Sequence, residues 1–322
     1  MPRTLLLERR NVESLVTMES AIGAVEAAFS EHGRGRTMMP PKVYLSLEKQ
    51  HGGDFRAMPS YMDGLAGVKW VNSHPDNPST SGLPSVMGIY VLSDAATARP
   101  LAVLDATWLT AVRTGAAGAV ATKHLHRRTP RTVGFIGCGV QARVLFRAHR
   151  VLYPAFESVC ADARAEAAAG FAAEIGGRVG SVAEAAGCDV VCLATPGRAP
   201  VVLREHLASG AHVNAMGADA PGKQEVHAEA LRAARVYVDD MEQATHSGEV
   251  NVPIHDGLFA ESDIAGTLGG VVAGVLPPPP EGAITLFDST GLAVQDLAVA
   301  RVVYERALRE KVGIEVDFLG LG

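Results

Sequence analysis

Residues 132–147 read TVGFIGCGVQARVLFR. The apolar run at 133–136 leads into Gly137-Cys138-Gly139-Val140-Gln141-Ala142, and Val144, Leu145 and Ala148 then recur on one side. This order predicts a strand, a tight glycine turn and a helix. In the G-x-G-x-x-G/A pattern the first glycine makes the turn and the second lets a pyrophosphate approach the backbone. The third small residue, here Ala142, lets the helix pack closely. A phosphate at that helix N-terminus meets unpaired N–H groups and the favourable end of the helix dipole. A second mostly apolar run, 156–160, stops just before Asp162, about twenty-five residues past Gly137, near the spacing of a ribose-binding acid. A carboxylate there accepts from the 2′-hydroxyl of NAD and repels the added phosphate of NADP; Arg164, two residues on, softens that preference. A glycine-rich turn in some other α/β protein is the competing reading, and strand, helix and acid together weigh against it.

The rest of the chain sets the bounds. Its 322 residues suffice for two domains, and with 48% apolar and 20% charged residues it buries a large core. The formal net charge is −6 and only 5% of residues are aromatic, so there is no nucleic-acid footprint. Charged residues interrupt every apolar stretch before it reaches membrane-spanning length. The opening MPRTLLLERRN has too short an apolar core for a signal peptide. A cytoplasmic protein without membrane partners is expected. Cys138, Cys160, Cys188 and Cys192 fall in or beside expected buried strands or turns, as ordinary core thiols of a reducing compartment do. His124 and His126, beside Arg127 and Arg128, are not expected to hold a metal.

Before the glycine turn the sequence predicts a strand at 4–7, one helix at 12–30, a β-rich region at 37–105 and a long Ala-rich helix at 106–125. Three cations stand among apolar neighbours in the β-rich region: Lys42, Arg56 and Lys69. Lys and Arg are rarely buried unless paired. On strands of one small sheet these three would converge on an anion such as a carboxylate; the alternative is that each points to solvent. Arg113, followed by Thr114, has the bidentate geometry to hold a phosphate, or else makes a salt bridge between domains. After Asp162 come helices at 163–175 and 181–186 and strands at 190–194, 211–216, 236–240 and 284–288, then a helix at 292–311. Ligands of doubly wound sheets bind outside the carboxyl ends of the strands. Thr195 and Asp219 fall at such ends. Asp219, in a turn rich in Gly and Pro, is the best acid/base carboxylate, with a turn-forming role as its competitor. Ser289 and Thr290 stand between a strand end and a helix start, able to cap or to touch ligand.

Several stretches together resemble the ornithine cyclodeaminase/mu-crystallin family, and within it the branch of archaeal-type NAD-dependent alanine dehydrogenases. They are MPPKVYL (39–45), FRAMP (55–59), GVKWVNSHPDNP (67–78), GLPSVM (82–87), DATWLTAVRTGAAG (105–118), GFIGCGVQA (134–142), GADAPGKQE (217–225), VDDMEQATHSGEVNVP (238–253) and FDSTGLAVQDLAVA (287–300). The resemblance implies an α/β fold: a Rossmann dinucleotide-binding domain (118–301) inserted in a smaller α+β substrate-binding and dimerisation domain (1–117, completed by a helix at 302–322). It implies that Lys42, Arg56 and Lys69 surround a substrate carboxylate, with Lys69 and Asp219 as acid/base groups and Thr290 beside the substrate. Arg113 would bind the cofactor pyrophosphate. Ser85, Thr114, Gly137, Gly139, Val140, Gln141, Asp162, Thr195, Met216, Lys223 and Ser289 would line the NAD site.

The implied activity is oxidation of a small L-amino acid, L-alanine with NAD and water giving pyruvate, ammonia and NADH, by a homodimer. Ornithine cyclodeaminases differ at the positions of Ala220 and Gln224, where they carry Cys and Thr, and at Lys42, where they carry Arg. Ornithine cyclodeamination, cyclic ketimine reduction and a non-catalytic binding role remain as alternatives.

Overall fold

The computed structural model describes residues 3–197 and 199–320. The chain forms two compact units: residues up to Arg113 together with those from Leu292 on, and Thr114–Gly291 between them. The expected boundaries lay at 117/118 and 301/302. Helix Ala293–Glu310 runs unbroken through the second of these and belongs wholly to the first unit.

The first unit is built on one sheet. Its order is Ile314–Val316, Thr4–Leu7, Pro100–Asp105, Val86–Asp94, Leu65–Ser73, Asp54–Met62 and Thr37–Met38, with Val43–Ser46 also paired to Asp54–Met62. Asp54–Met62 carries Pro59 in its middle, where a missing N–H normally breaks a ladder. The two strands on its outer side pair with residues 54–57 and 61–62, so Pro59 falls in the gap between them. Register fixes the faces: Met58 lies opposite Lys69, and Lys69 opposite Tyr90. Side chains alternate, so Arg56, Met58, Ser60, Lys69, Val71, Tyr90 and Leu92 share a face. All seven are buried, and helix Ala293–Glu310 covers that face.

The helix expected at 12–30 is two helices, Arg9–Leu15 and Met18–Gly33. Val16 is extended, and the Thr17 hydroxyl accepts from the Ser20 N–H at 3.2 Å, opening the second helix as an N-cap. The apolar stripe continues across the break, so periodicity alone did not reveal it.

The second unit holds an eight-stranded sheet in the order Arg178–Val179, Glu157–Ala161, Thr132–Ile136, Val190–Leu193, His212–Ala215, Thr285–Asp288, Arg235–Val238 and Ile264–Thr267. Every pairing is parallel. The chain winds outward from Thr132–Ile136 on one side and returns to Val190–Leu193 on the other. The carboxyl end of Thr132–Ile136 is therefore the topological switch point, where doubly wound sheets bind ligands.

Candidate active site

Lys69 is a buried, ion-paired cation of the first unit. It is 1% exposed, and its Nζ lies 2.7 Å from Asp296 Oδ2. The second oxygen of Asp296 takes a hydrogen bond from Arg113 Nε at 3.1 Å, and Arg113 Nη1 donates to Gln295 Oε1 at 3.2 Å. Three elements supply this cluster: a central strand, the helix Ala106–Ala121 and the first turn of helix Ala293–Glu310. Burial lowers the proton affinity of Lys69 most. Asp296 opposes it and Arg113 and Lys42 reinforce it, bringing the amine to about 7. Lys42 stands just before strand Val43–Ser46, not on a strand as expected, yet is close enough for its charge to be felt. Tyr90, opposite Lys69, is buried, and its hydroxyl rests over Gly67, where a Cβ would collide with it.

Arg56 shares the inward face but is differently engaged. Its Nε and Nη2 bind the two oxygens of Asp54 at 2.8 and 3.0 Å, and its guanidinium lies 5.3 Å from the centre of the Tyr44 ring. Ser85 sits in the turn before strand Val86–Asp94, its backbone carbonyl accepting from the His74 N–H at 2.7 Å.

In the second unit the glycine turn has the anticipated form. Gly137 has φ +88°, and a Cβ there would lie 2.5 Å from the Ala194 carbonyl. Gly139 is the N-cap of helix Val140–Leu152, yet a Cβ on it would meet nothing within 4 Å. Packing within the protein thus gives no reason for glycine at 139, whereas close approach of a ligand does. Val140 is exposed at the helix start, Gln141 follows half-buried, and Ala142 is buried against the sheet. Asp162 closes the turn from the next strand: its carboxylate accepts from the Cys138 N–H at 2.7 Å and the Arg164 N–H at 2.9 Å.

The other strand ends of this unit carry the remaining expected residues. Thr195 follows Val190–Leu193; buried Met216 and then Asp219 follow His212–Ala215; Ser289 and Thr290, both buried, follow Thr285–Asp288. Lys223 Nζ lies 2.5 Å from Asp219 Oδ1. Thr114, buried, opens the unit on the helix that brings the chain in.

The family profile for ornithine cyclodeaminase/mu-crystallin proteins matches residues 3–311. The chain belongs to the ornithine cyclodeaminase/mu-crystallin family. It is 48% identical over 321 residues to an alanine dehydrogenase of Archaeoglobus fulgidus, covering 98% of each chain. Among solved family structures, an archaeal alanine dehydrogenase dimer with bound NAD superposes with a TM-score of 0.94 at 47% identity, over 98% of this chain and 100% of that one. The Δ1-pyrroline-2-carboxylate reductase of Thermococcus litoralis, solved with NADH and L-proline, gives 0.91 at 35% identity, over 97% and 100%.

Set against this family frame, the structure brings Lys42, Lys69 and Arg113 together and keeps Arg56 on the same face. It turns Arg113 onto Asp296 and Gln295, beside Lys69, where a pyrophosphate ligand had been expected. Sequence reasoning missed Asp296 itself, although GLAVQDLAVA carried a signal: a carboxylate on the apolar stripe of a helix needs a buried cation.

It also missed a run of carboxylates in the second unit. Glu225 accepts from Thr195 N–H and Oγ1 and from Gly217 N–H, at 2.7, 2.8 and 2.7 Å. Glu249 accepts from the N–H groups of Glu225 and Val226, and Asp288 from that of Val250. Asp239 accepts from Thr290 Oγ1 at 3.0 Å and Gly291 N–H at 2.7 Å. All four are buried; burial raises the proton affinity of Glu225, raises that of Glu249 well above the usual range and pushes Asp288 up to about 8.

Proposed function

We propose that the chain is an NAD-dependent dehydrogenase of a small L-amino acid, converting L-alanine, NAD and water to pyruvate, ammonia and NADH. The observation that carries this reading is Lys69: an amine buried among other cations, able to change protonation near neutral pH, in a chain about half identical to an alanine dehydrogenase along its whole length.

NAD fits the residues present. Gly137 and Gly139 leave the turn open to a pyrophosphate, the N–H groups of helix Val140–Leu152 favour its charge, and Asp162 keeps acceptor capacity for a ribose hydroxyl. Val140, Gln141, Thr195, Met216, Lys223, Ser289, Thr114 and Ser85 complete the proposed lining. The cofactor, when bound, supplies the hydride acceptor; the side chains do the rest. Lys42, Lys69 and Arg113 form a group with more cation than anion and hold the substrate carboxylate, with Arg56 behind them and Thr290 beside the substrate. Lys69 takes a proton from the substrate ammonium, leaving the neutral amine that oxidation converts to an imine. Water then adds to the carbon of the protonated imine while Asp219 accepts its proton, and the proton that Lys69 holds passes to the amino group so that ammonia leaves as the hydroxyl gives up its proton to form the ketone. Arg113 acts here with the substrate-binding cations, in place of the pyrophosphate role the sequence suggested.

We further read the protein as a cytoplasmic homodimer; the archaeal alanine dehydrogenase structure is a dimer, and no described helix here is long and apolar enough to cross a membrane. Reduction of a cyclic ketimine is the second reading, favoured by the likeness to a reductase solved with L-proline. Purified protein with NAD and L-alanine at alkaline pH should accumulate NADH. Proline formed from L-ornithine without net NADH would replace the dehydrogenase by a cyclodeaminase, and NADH consumed with Δ1-pyrroline-2-carboxylate but none formed with alanine would favour the reductase.

A further inference from the structure

We propose that Asp296 is a positioning residue for the reaction: its carboxylate fixes where the Lys69 amine points and keeps a proton available to it. The inference rests on the reading of Lys69 as the acid/base group.

The geometry is that of a shared counter-charge. Asp296 is fully buried, with Oδ2 at 2.7 Å from Lys69 Nζ and Oδ1 at 3.1 Å from Arg113 Nε. It stands in the first turn of the 18-residue helix Ala293–Glu310, where the helix dipole favours an anion. Its neighbour Gln295 steadies the same turn, the Oε1 accepting from Arg113 Nη1 at 3.2 Å and Leu292 N–H at 3.4 Å. The guanidinium is thereby held by two consecutive residues, which leaves Oδ2 for the amine.

The groups facing Lys69 come from every element packed around it: Asp296 from the covering helix, Arg113 from helix Ala106–Ala121, Lys42 from the segment before Val43–Ser46, Tyr90 from the neighbouring strand. Arg56, already bound to Asp54, lies further along the same face. Of these, Asp296 alone works to keep a proton on the amine, against burial, Arg113 and Lys42. Without it, Lys69 would be a neutral amine across the working pH range and a poor base, and its four-carbon arm would lose the contact that aims it.

The test compares wild type with Asp296→Asn and Asp296→Glu in the full chain. The Lys69 side chain is followed by NMR of 13C-lysine-labelled protein, assigned by loss of its signal in Lys69→Met. The pH dependence of kcat/KM with L-alanine is measured alongside. In Asp296→Asn we expect the Lys69 titration and the acid limb of kcat/KM to move together to lower pH by about one unit or more, with kcat down about tenfold or more. Asp296→Glu, which keeps the charge, should restore much of the titration and lose kcat more than it changes KM. An unmoved Lys69 titration in a folded Asp296→Asn protein would overturn the proposal. Should that variant fail to fold, a wild-type titration and kcat in Asp296→Glu, despite the longer arm, would overturn its positional part. A Lys69 titration that moves while the pH–rate limb stays would uphold the pairing and refute Lys69 as the acid/base group.

Discussion

Thr195 is bound twice by Glu225: its N–H and its Oγ1 donate to the same Glu225 oxygen, at 2.7 and 2.8 Å. The other oxygen takes the Gly217 N–H, so one buried carboxylate staples two strand-end turns together. Glu225→Ala leaves these donors without an acceptor, at about 1–3 kcal/mol for each that stays buried and unmet. We expect a drop in Tm of several degrees and a NADH Kd that rises more than kcat falls. Calorimetry and NADH fluorescence measure the two; an unchanged Kd beside a lowered Tm would confine Glu225 to stability.

Lys69→Met should reduce kcat at least about a hundredfold, since the amine is proposed to move protons in the rate-determining chemistry. In the wild type, kcat/KM should rise with pH through about 7 as the amine becomes a base. Stability has its own sign. The folded chain releases this proton at about 7 while an unfolded lysine holds it to its ordinary 10.5, so between these values the unfolded state binds more protons and stability from this group grows with pH. Below 7 the full burial cost remains. Lys69→Met, which leaves the Asp296–Arg113 pair balanced, should therefore be at least as stable as wild type in urea at pH 6; a clear loss there would contradict the balance described.

Asp162→Ala should narrow the preference for NADH over NADPH by about tenfold or more, equivalent to ~1.4 kcal/mol. The carboxylate sits in the glycine turn, held by the Cys138 and Arg164 N–H groups, and on the proposed reading would repel a 2′-phosphate. Binding titrations with both reduced cofactors check this, and an unchanged ratio would remove Asp162 from ribose recognition.

His149 and His212 make the second unit sensitive to acid. Both are fully buried; burial holds His149 down at about 4 and His212 at about 3. Thr122 Oγ1 lies 2.9 Å from His149 Nε2, and Asn214 Nδ2 donates to the same hydroxyl at 2.9 Å. Unfolded histidines take up protons near 6.5 that the folded chain refuses, so stability present above that pH is lost as pH falls toward the folded values. Asp288, raised to about 8, works in the opposite direction, losing stability as pH rises from its ordinary 3.8. His149→Gln should be less stable than wild type at pH 7.5 in urea yet lose less on going to pH 5. Equal losses would show that His149 does not carry the acid response.

The glycine turn, its strand and helix, and the strand ends bearing Thr195, Asp219 and Ser289 were legible because local signals coincide there with the fold. The inward cations Arg56 and Lys69 were legible as charges with apolar neighbours. What remained hidden depends on partners far away in sequence. Asp296 is about seventy per cent of the chain length away from Lys69 and gains meaning only when helix Ala293–Glu310 covers the sheet. Glu225 and Glu249 look like surface acids in a loop, and only the folded backbone reveals the donors they serve. The break at Val16–Thr17 was lost because a Thr cap interrupts the helix without interrupting its apolar stripe.

The first unit is assembled from two ends of the chain, and that has a consequence for biogenesis. Lys69 and Arg113 leave the ribosome early, whereas the carboxylate that pairs with both comes 183 residues after Arg113. Until it arrives, Lys69 on the sheet and Arg113 on helix Ala106–Ala121 lack their shared counter-charge, and burying them would strand two cations. The second unit lies wholly between those ends and meets no such delay. During synthesis it can settle first, and docking of the last helix then completes the first unit and its charge balance in one event.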